Sequence, residues 1–575
     1  MEKEFDLVVR NGTIADGSGR EQFRGDVAIR GGLIAAVGPH LHGSGREEIR
    51  ADDLLVTPGF VDVHTHYDGQ VTWEHTLAPS SSHGVTTVVM SNCGVGFAPC
   101  RPTDRELLIK LMEGIEDIPD VVMTEGIPWG WESFGEFLDF LETRRCDVDF
   151  ATQVPHAPVR VYVMGERAVE REPATARDMR AMAALVEDAI RAGGLGFTTS
   201  RTMNHRTRAG ALAPTVTVAE EELRTIALGL TAAGAGVLQM VDDFAETSAD
   251  QSTTFAMWRR IVEASGRPLS FTLTENANDP ERWRTLLRSV EDARRDGLQI
   301  TGQVSTRAVG SLFGLELSNH PFTACPTYMA FADRPLADRV AQLRRPEIRA
   351  ALLREEPVGL KRPQFRLVDE MYVFGDPPDY EPSPELRLAV RAQRLGISAL
   401  ELAYDLMLGN DGRAMLYLPM ANYSHHSLDT TLEMMRHPNT IIGLSDGGAH
   451  VARICDASQS THLLAHWTRD RSGDRLGIGE AVRFLTRDTS HAVGLADRGL
   501  LAPGYRGDVN VIDYDALRLL PPRLEHDLPA GGARLKQDAD GFRATVKSGV
   551  VTYRDGAPTG ALPGRLIRGA QPVPR

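Results

Sequence analysis

From about residue 57 to residue 494 the chain alternates short apolar runs with longer stretches patterned as amphipathic helices. No other feature narrows the possible folds as much. Parallel strands need a helical crossover between them, so this alternation marks βα units around a parallel sheet. Eight runs read as strands, at residues 54–63, 86–90, 148–154, 194–199, 236–241, 269–273, 298–304 and 440–444. Amphipathic segments at 176–192, 219–233, 253–264 and 279–296 separate the later ones. Eight units predict an α/β protein built on a (β/α)8 TIM-like barrel. A doubly wound open sheet is the alternative, but no G-x-G-x-x-G follows the first run.

The two ends have a different texture. Phe5-Asp-Leu-Val-Val-Arg10 runs into Asn11-Gly12, a hairpin signal, and Asp26 to Val37 repeats the pattern around Gly31-Gly32. Near the C-terminus 508–513 alternates, and 544–553 reads as two strands around Gly549. One small β-sandwich domain assembled from residues 1–56 and 495–575 is the economical reading, with the barrel at 57–494. The gap between the seventh and eighth runs is too long for a loop and contains Asp376-Pro-Pro-Asp-Tyr-Glu-Pro-Ser-Pro384. It predicts an inserted lid subdomain at about 306–397, followed by a helix near 398–408.

Composition excludes several roles. The 575 residues carry a formal charge of −15, and an acidic surface repels phosphate backbones, which argues against a nucleic-acid partner. The first seven residues are charged and lack the apolar core of a signal peptide. No run approaches the roughly 18 apolar residues of a membrane span. Five cysteines at irregular spacing (Cys93, Cys100, Cys146, Cys325, Cys455) do not suggest a disulfide framework. They predict a reduced, cytoplasmic setting in which a thiol is free for chemistry.

In a barrel, chemistry sits at the C-terminal ends of the strands. The first run ends Gly59-Phe-Val-Asp-Val-His64-Thr-His66. Side chains alternate faces along a strand, so His64 and His66 point the same way and can converge on one metal ion. The second run leads into Ser91-Asn92-Cys93-Gly94, where a thiolate can ligate a cation. The eighth leads into Ser445-Asp446-Gly447-Gly448, where a carboxylate can bind the same ion and take a proton from its water.

Together, Pro58-Gly59-Phe-Val-Asp-Val-His64-Thr-His66, the late Ser445-Asp446-Gly447 and the split β ends resemble the amidohydrolase superfamily. Asn92-Cys93-Gly94 and the terminal Thr559-Gly-Ala-Leu-Pro563-Gly564-Arg565 are similar to its D-aminoacylase (N-acyl-D-amino-acid deacylase) group. The resemblance implies a metal-dependent hydrolase of N-acyl amino acids, the D configuration included. It also implies that a cysteine stands where many relatives have a carboxylated lysine. The chain has only five lysines, none near the end of the fourth run. Relatives supply one histidine each from the fifth and sixth strands. Here those runs read Val237-Leu-Gln-Met-Val-Asp242-Asp243 and Phe271-Thr-Leu-Thr-Glu275, without histidine. The expectation is therefore Zn2+, one ion rather than two, held by His64, His66, Cys93 and Asp446. Asp446 is also the general base and acid. Asp242, Asp243 and Glu275 are candidate substitute oxygen ligands.

Candidate substrate contacts are His156 after the third run, Ser200, Arg201 and His205 after the fourth, and His450 beyond Asp446. His425 and His426 are further candidates for the mouth, Arg453 for a group that supports the ligands just beyond Asp446, and Trp73, Trp129 and Trp131 for an acyl pocket. Two rivals stand beside this reading: a hydantoinase-like hydrolase of cyclic amides, and a barrel without metal chemistry that serves as a binding or scaffold protein. The expected partner is a small N-acylated molecule, with no membrane. The oligomeric state is open, homo-oligomers included.

Overall fold

The computed structural model of the chain describes residues 4–243, 251–359 and 367–575. The central strands form two parallel sheets. One holds Phe60–Asp62, Val85–Met90 and Asp149–Thr152. The other runs in the order Val154–Pro155, Gly196–Ser200, Val237–Val241, Leu269–Thr272, Ile300–Val304, Thr440–Ile442. Backbone hydrogen bonds join them at both edges. Gln153 N donates to Met90 O at 3.2 Å and Leu195 N to Thr152 O at 2.9 Å. At the other edge Asp446 N donates to His64 O at 3.1 Å and His66 N to Gly447 O at 2.7 Å. The eighth run therefore lies beside the first. Residues of Val85–Met90, Asp149–Thr152 and Gly196–Ser200 are buried without alternation, as expected of strands covered on both faces.

The predicted helices appear at Ala176–Ala192, Glu220–Ala233, Gln251–Ser265 and Arg282–Arg295. The first is bounded by a capping box, in which Thr175 accepts from Asp178 N and Asp178 reaches back to Thr175 N. Val186, Ala189 and Ile190 lie on its buried face.

The first apolar run serves two sheets. Leu55–Pro58 belongs to the terminal sheet and Phe60–Asp62 to the parallel one. Gly59 lies between them because a Cβ there would meet Thr86 Oγ1 at 2.2 Å. The terminal sheet is nine-stranded and draws on both chain ends, with Val509–Ile512 antiparallel to Leu55–Pro58. Its core includes Leu7, Val9, Val27, Ile29, Val56, Val509, Val511 and Val546. Beneath it, fully buried Lys547 Nζ lies 2.8 Å from both Asp149 and Asp508, and Arg498 pairs with Asp149 at 3.0 Å.

Between the seventh and eighth runs a three-stranded antiparallel sheet (Val309–Phe313, Met415–Ala421, Tyr372–Phe374) has its own core, including Phe313, Phe322, Leu352, Met371, Leu402 and Leu418. The helix expected near 398 spans Ala399–Met407, and Ser398 caps it by accepting from Glu401 N at 3.1 Å. Among the described residues, no helix is long and apolar enough to cross a membrane.

Candidate metal centre

His64 and His66 follow the strand Phe60–Asp62 and are buried. Their backbone is held to the eighth run by the bonds described above, and Ser445 Oγ donates to His64 O at 2.9 Å. His64 Nδ1 lies 2.8 Å from Gln303 Oε1. Gln303 gives its amide N–H to Ser270 Oγ at 2.9 Å, so its oxygen accepts from His64 Nδ1–H. This leaves the Nε2 lone pair of His64 turned toward Cys93 Sγ at 3.3 Å and Asp446 Oδ1 at 3.4 Å.

Cys93 is presented by a turn that ordinary backbone avoids. Ser91 (φ 63°), Cys93 (φ 58°) and Gly94 (φ 71°) are all left-handed. Only glycine fits at 94, since a Cβ would lie 2.9 Å from Thr199 Cα. Buried amides hold the turn: Cys93 N donates to Gln239 Oε1 at 3.3 Å and Gly94 N to Thr198 Oγ1 at 3.2 Å. Asn92 Nδ2 donates to Val89 O at 3.0 Å and to Val63 O and Thr65 O at 3.3 Å, tying the cysteine turn to the H-x-H strand. Burial pushes the Cys93 thiol up to about 12. A thiolate at this position needs a neighbouring positive charge.

Asp446 (φ 46°) is presented in the same way, flanked by Leu444 (φ 62°) and followed by His450 (φ 51°). Strained residues of this kind cluster where a site requires a particular side-chain direction. Oδ1 lies 3.4 Å from His64 Nε2 and 3.7 Å from His66 Nε2, while Oδ2 lies 3.7 Å from His450 Nε2. Burial alone would raise this carboxyl, but His66, His64 and His450 outweigh it and hold it well below the usual carboxylate range.

Ligand atoms of His64, His66 and Cys93 all lie within 4.8 Å of one another. Both ring nitrogens of His66 are buried without a hydrogen-bond partner. Buried polar atoms are normally satisfied, so an orphaned imidazole beside a thiol and a carboxylate fits a divalent cation. Glu116, a carboxylate with no signal in the sequence, lies 3.6 Å from His66 Nδ1 and 3.9 Å from His450 Nε2. Burial pushes it up to about 7. It was not legible because it ends an ordinary amphipathic helix, Arg105–Glu116, far in sequence from its partners.

The remaining candidates divide. His205 is near the centre: burial, then His66 and His450, push it down to about 3, and its Nδ1 has no hydrogen-bond partner. His156 has partners on both ring nitrogens. Its ring is fully buried, with Nδ1 2.8 Å from Thr199 Oγ1 and Nε2 3.0 Å from Glu222 Oε1, so neither nitrogen is free for substrate. Arg160 shares Glu222 at 2.9 Å, which makes His156 part of a buried polar network behind the strands. Arg201 lies 3.7 Å from Asp242, and Ser200 Oγ accepts from Thr202 N at 3.4 Å.

The substitute oxygen ligands are engaged outside the three-residue donor group. Asp242 accepts from Trp258 Nε1 at 3.1 Å, Asp243 from Met203 N at 2.7 Å and Glu275 from Ser424 N at 3.0 Å. His425 lies 3.7 Å from Glu275, and His426 Nδ1 is 3.3 Å from Tyr372 Oη. Arg453 pairs with Asp117 at 3.3 Å. Trp131 is buried against Phe137 and Phe140 and donates to Phe97 O, so it packs as core.

The family model described as Amidohydrolase family matches residues 47–553. D-aminoacylase of Alcaligenes xylosoxydans xylosoxydans is 33% identical over 195 residues, 34% of this chain and 37% of that protein. The match thus spans little more than a third of that relative's length. N-acyl-D-glutamate deacylase of the same organism is 25% identical over 99% of this chain and 97% of its own. A D-aminoacylase crystal structure superposes with a TM-score of 0.65 at 23% identity, covering 98% of this chain and all of the other. N-acyl-D-glutamate deacylase from Bordetella bronchiseptica, solved with zinc and a phosphonate inhibitor, gives a TM-score of 0.64 at 21% identity over 99% of this chain and 100% of its own. These structural similarities speak for the fold. With a family match that spans most of its length, the chain belongs to the amidohydrolase family.

Proposed function

We propose that this chain is a zinc-dependent hydrolase that cleaves the amide bond of N-acyl amino acids, with the D series as its substrates. One observation carries the reading: buried donor atoms of His64, His66 and Cys93 converge, and the Asp446 carboxylate faces both imidazoles. The relatives' names support the substrate class, and the zinc of the Bordetella structure supports the metal. One ion suits this set better than two, because Asp242, Asp243 and Glu275 are engaged elsewhere.

In this reading His64, His66, Cys93 and Asp446 would hold Zn2+. When bound, the ion would polarise the amide carbonyl and make a water more acidic. Asp446 accepts the proton of the attacking water and returns it to the departing amine nitrogen. Gln303 fixes the tautomer of His64. His205 and His450 are the ring donors for the carbonyl oxygen as it gains charge. Arg201, only loosely held by Asp242, is proposed for the substrate carboxylate, with Ser200 beside it.

The architecture proposed with it is a closed (β/α)8 barrel at 57–494, a composite β-sandwich domain of 1–56 and 495–575, and the insertion at about 306–397 as a lid. The hydrogen bonds that join both edges of the parallel sheets support closure. Five free, buried thiols support a reducing, cytoplasmic setting.

The test is elemental analysis of protein expressed with zinc, together with assays on N-acyl-D- and N-acyl-L-amino acids. About one zinc per chain and release of the free D-amino acid with its carboxylic acid is the expected result. Opening of hydantoin rings without release of an acid would make the enzyme a cyclic-amide hydrolase. Protein that takes up no metal and turns over none of these substrates would be a binding barrel.

A further inference from the structure

Glu116 has no role in the reactions above, yet its carboxylate is buried between two of the histidines they use. It is 2% exposed. Oε1 lies 3.6 Å from His66 Nδ1, and Oε2 lies 3.9 Å from His450 Nε2, which in turn lies 3.7 Å from the outer oxygen of Asp446. Glu116 Oε1 and both His66 nitrogens are buried without a hydrogen bond. A carboxylate and an imidazole left in this state cost the metal-free fold stability. The chain does not relieve the cost by moving the loop, which is pinned from three sides. His450 N donates to Glu116 O at 2.5 Å, Arg453 pairs with Asp117 at 3.3 Å, and Ser318 Oγ donates to Asp117 at 2.7 Å. The two members of the H-x-H pair are thus backed differently: His64 by the neutral amide of Gln303, His66 by a carboxylate.

We infer that Glu116 is the positioning residue of the centre, orienting His66 so that Nε2 faces Cys93 and Asp446, and holding His450 against the outer oxygen of Asp446. The inference rests on the zinc-hydrolase reading. A carboxylate at Nδ1 favours the tautomer with its proton there, turns the Nε2 lone pair toward the donor group and makes that nitrogen more basic. Glu116 acts through these histidines and touches no reacting atom.

The test compares Glu116→Gln and Glu116→Ala with the parental protein. Zinc dissociation constants are measured by competition with a chelator, and thermal midpoints are measured without metal. Gln keeps an acceptor for Nδ1–H but loses the charge, so zinc binding weakens about 10-fold; Ala loses both, and binding weakens about 100-fold. The metal-free midpoints stay level or rise, because a buried carboxylate oxygen without a hydrogen bond has gone. Zinc affinity unchanged in both variants overturns the inference. So does a metal-free midpoint that falls in step with affinity, which would assign Glu116 a merely structural role. A parental chain that binds no zinc removes the reading of the centre itself, and this inference with it.

Discussion

The two oxygens of Asp446 face different neighbours. Oδ1 lies against the Nε2 atoms of His64 and His66, and Oδ2 against His450. One oxygen can therefore serve the donor group while the other faces the rim, where a proton would come and go. Replacing Asp446 by Ala should leave a folded protein and lower amide hydrolysis by about 10²- to 10⁴-fold, the range of a lost general acid–base group. Activity and zinc content are read on the same preparation. Near-parental turnover with zinc retained would remove Asp446 from its proposed role. At this scale the sequence was informative where chemistry and strand ends coincide. His64, His66, Cys93 and Asp446 could all be named because each follows a recognisable apolar run. Glu116 and Gln303 could not, because a glutamate in a helix and a glutamine in a strand look the same with or without a partner. For His156 the position at a strand end is visible in sequence, while Thr199 and Glu222, which lie against its two nitrogens, are not.

At the scale of elements, the turns after the strands carry the strain and the helices carry ordinary stability. Gly94→Ala places a methyl 2.9 Å from Thr199 Cα at a φ of 71°. It should destabilise the chain by about 1–3 kcal/mol and displace Cys93, lowering zinc content. Thr175→Ala removes the cap of Ala176–Ala192, remote from the centre, and should cost about 1 kcal/mol with zinc content unchanged. Urea unfolding and metal analysis of the pair separate these effects. Equal zinc content in both variants would show that the 91–94 turn does not position the thiol.

At the scale of the whole molecule, the terminal sheet and the third parallel strand are bolted together by charge. Lys547 is fully buried between Asp149 and Asp508, with Arg498 completing the group. Lys547→Met leaves buried carboxylates without their partner and should cost about 3–5 kcal/mol, read as a lower denaturation midpoint. Burial alone would raise Asp149, but Lys547 and Arg498 hold it below the usual carboxylate value. A carboxyl depressed in the folded state stabilises the fold above its unfolded pKa and loses that contribution as pH falls through the folded value. Parental stability should therefore decline on acidification below the ordinary carboxylate range, and more steeply than that of Lys547→Met. Identical acid profiles would show that this group does not link the two parts.

Hydrophobic periodicity is a local property, so the eight strand runs, the helix at 176–192 and the β character of both ends could be read from the sequence within a few residues. The same periodicity made residues 54–63 look like one strand. Only the tertiary structure divides that run at Gly59, because the reason is a contact with Thr86 and not a property of the run. The left-handed residues at 91, 93, 444, 446 and 450 belong to the same class: non-glycine side chains there are set by packing and hydrogen bonds from distant strands. Residue types and strand ends named the chemistry, while the distances between those residues came only from bringing segments hundreds of residues apart into contact.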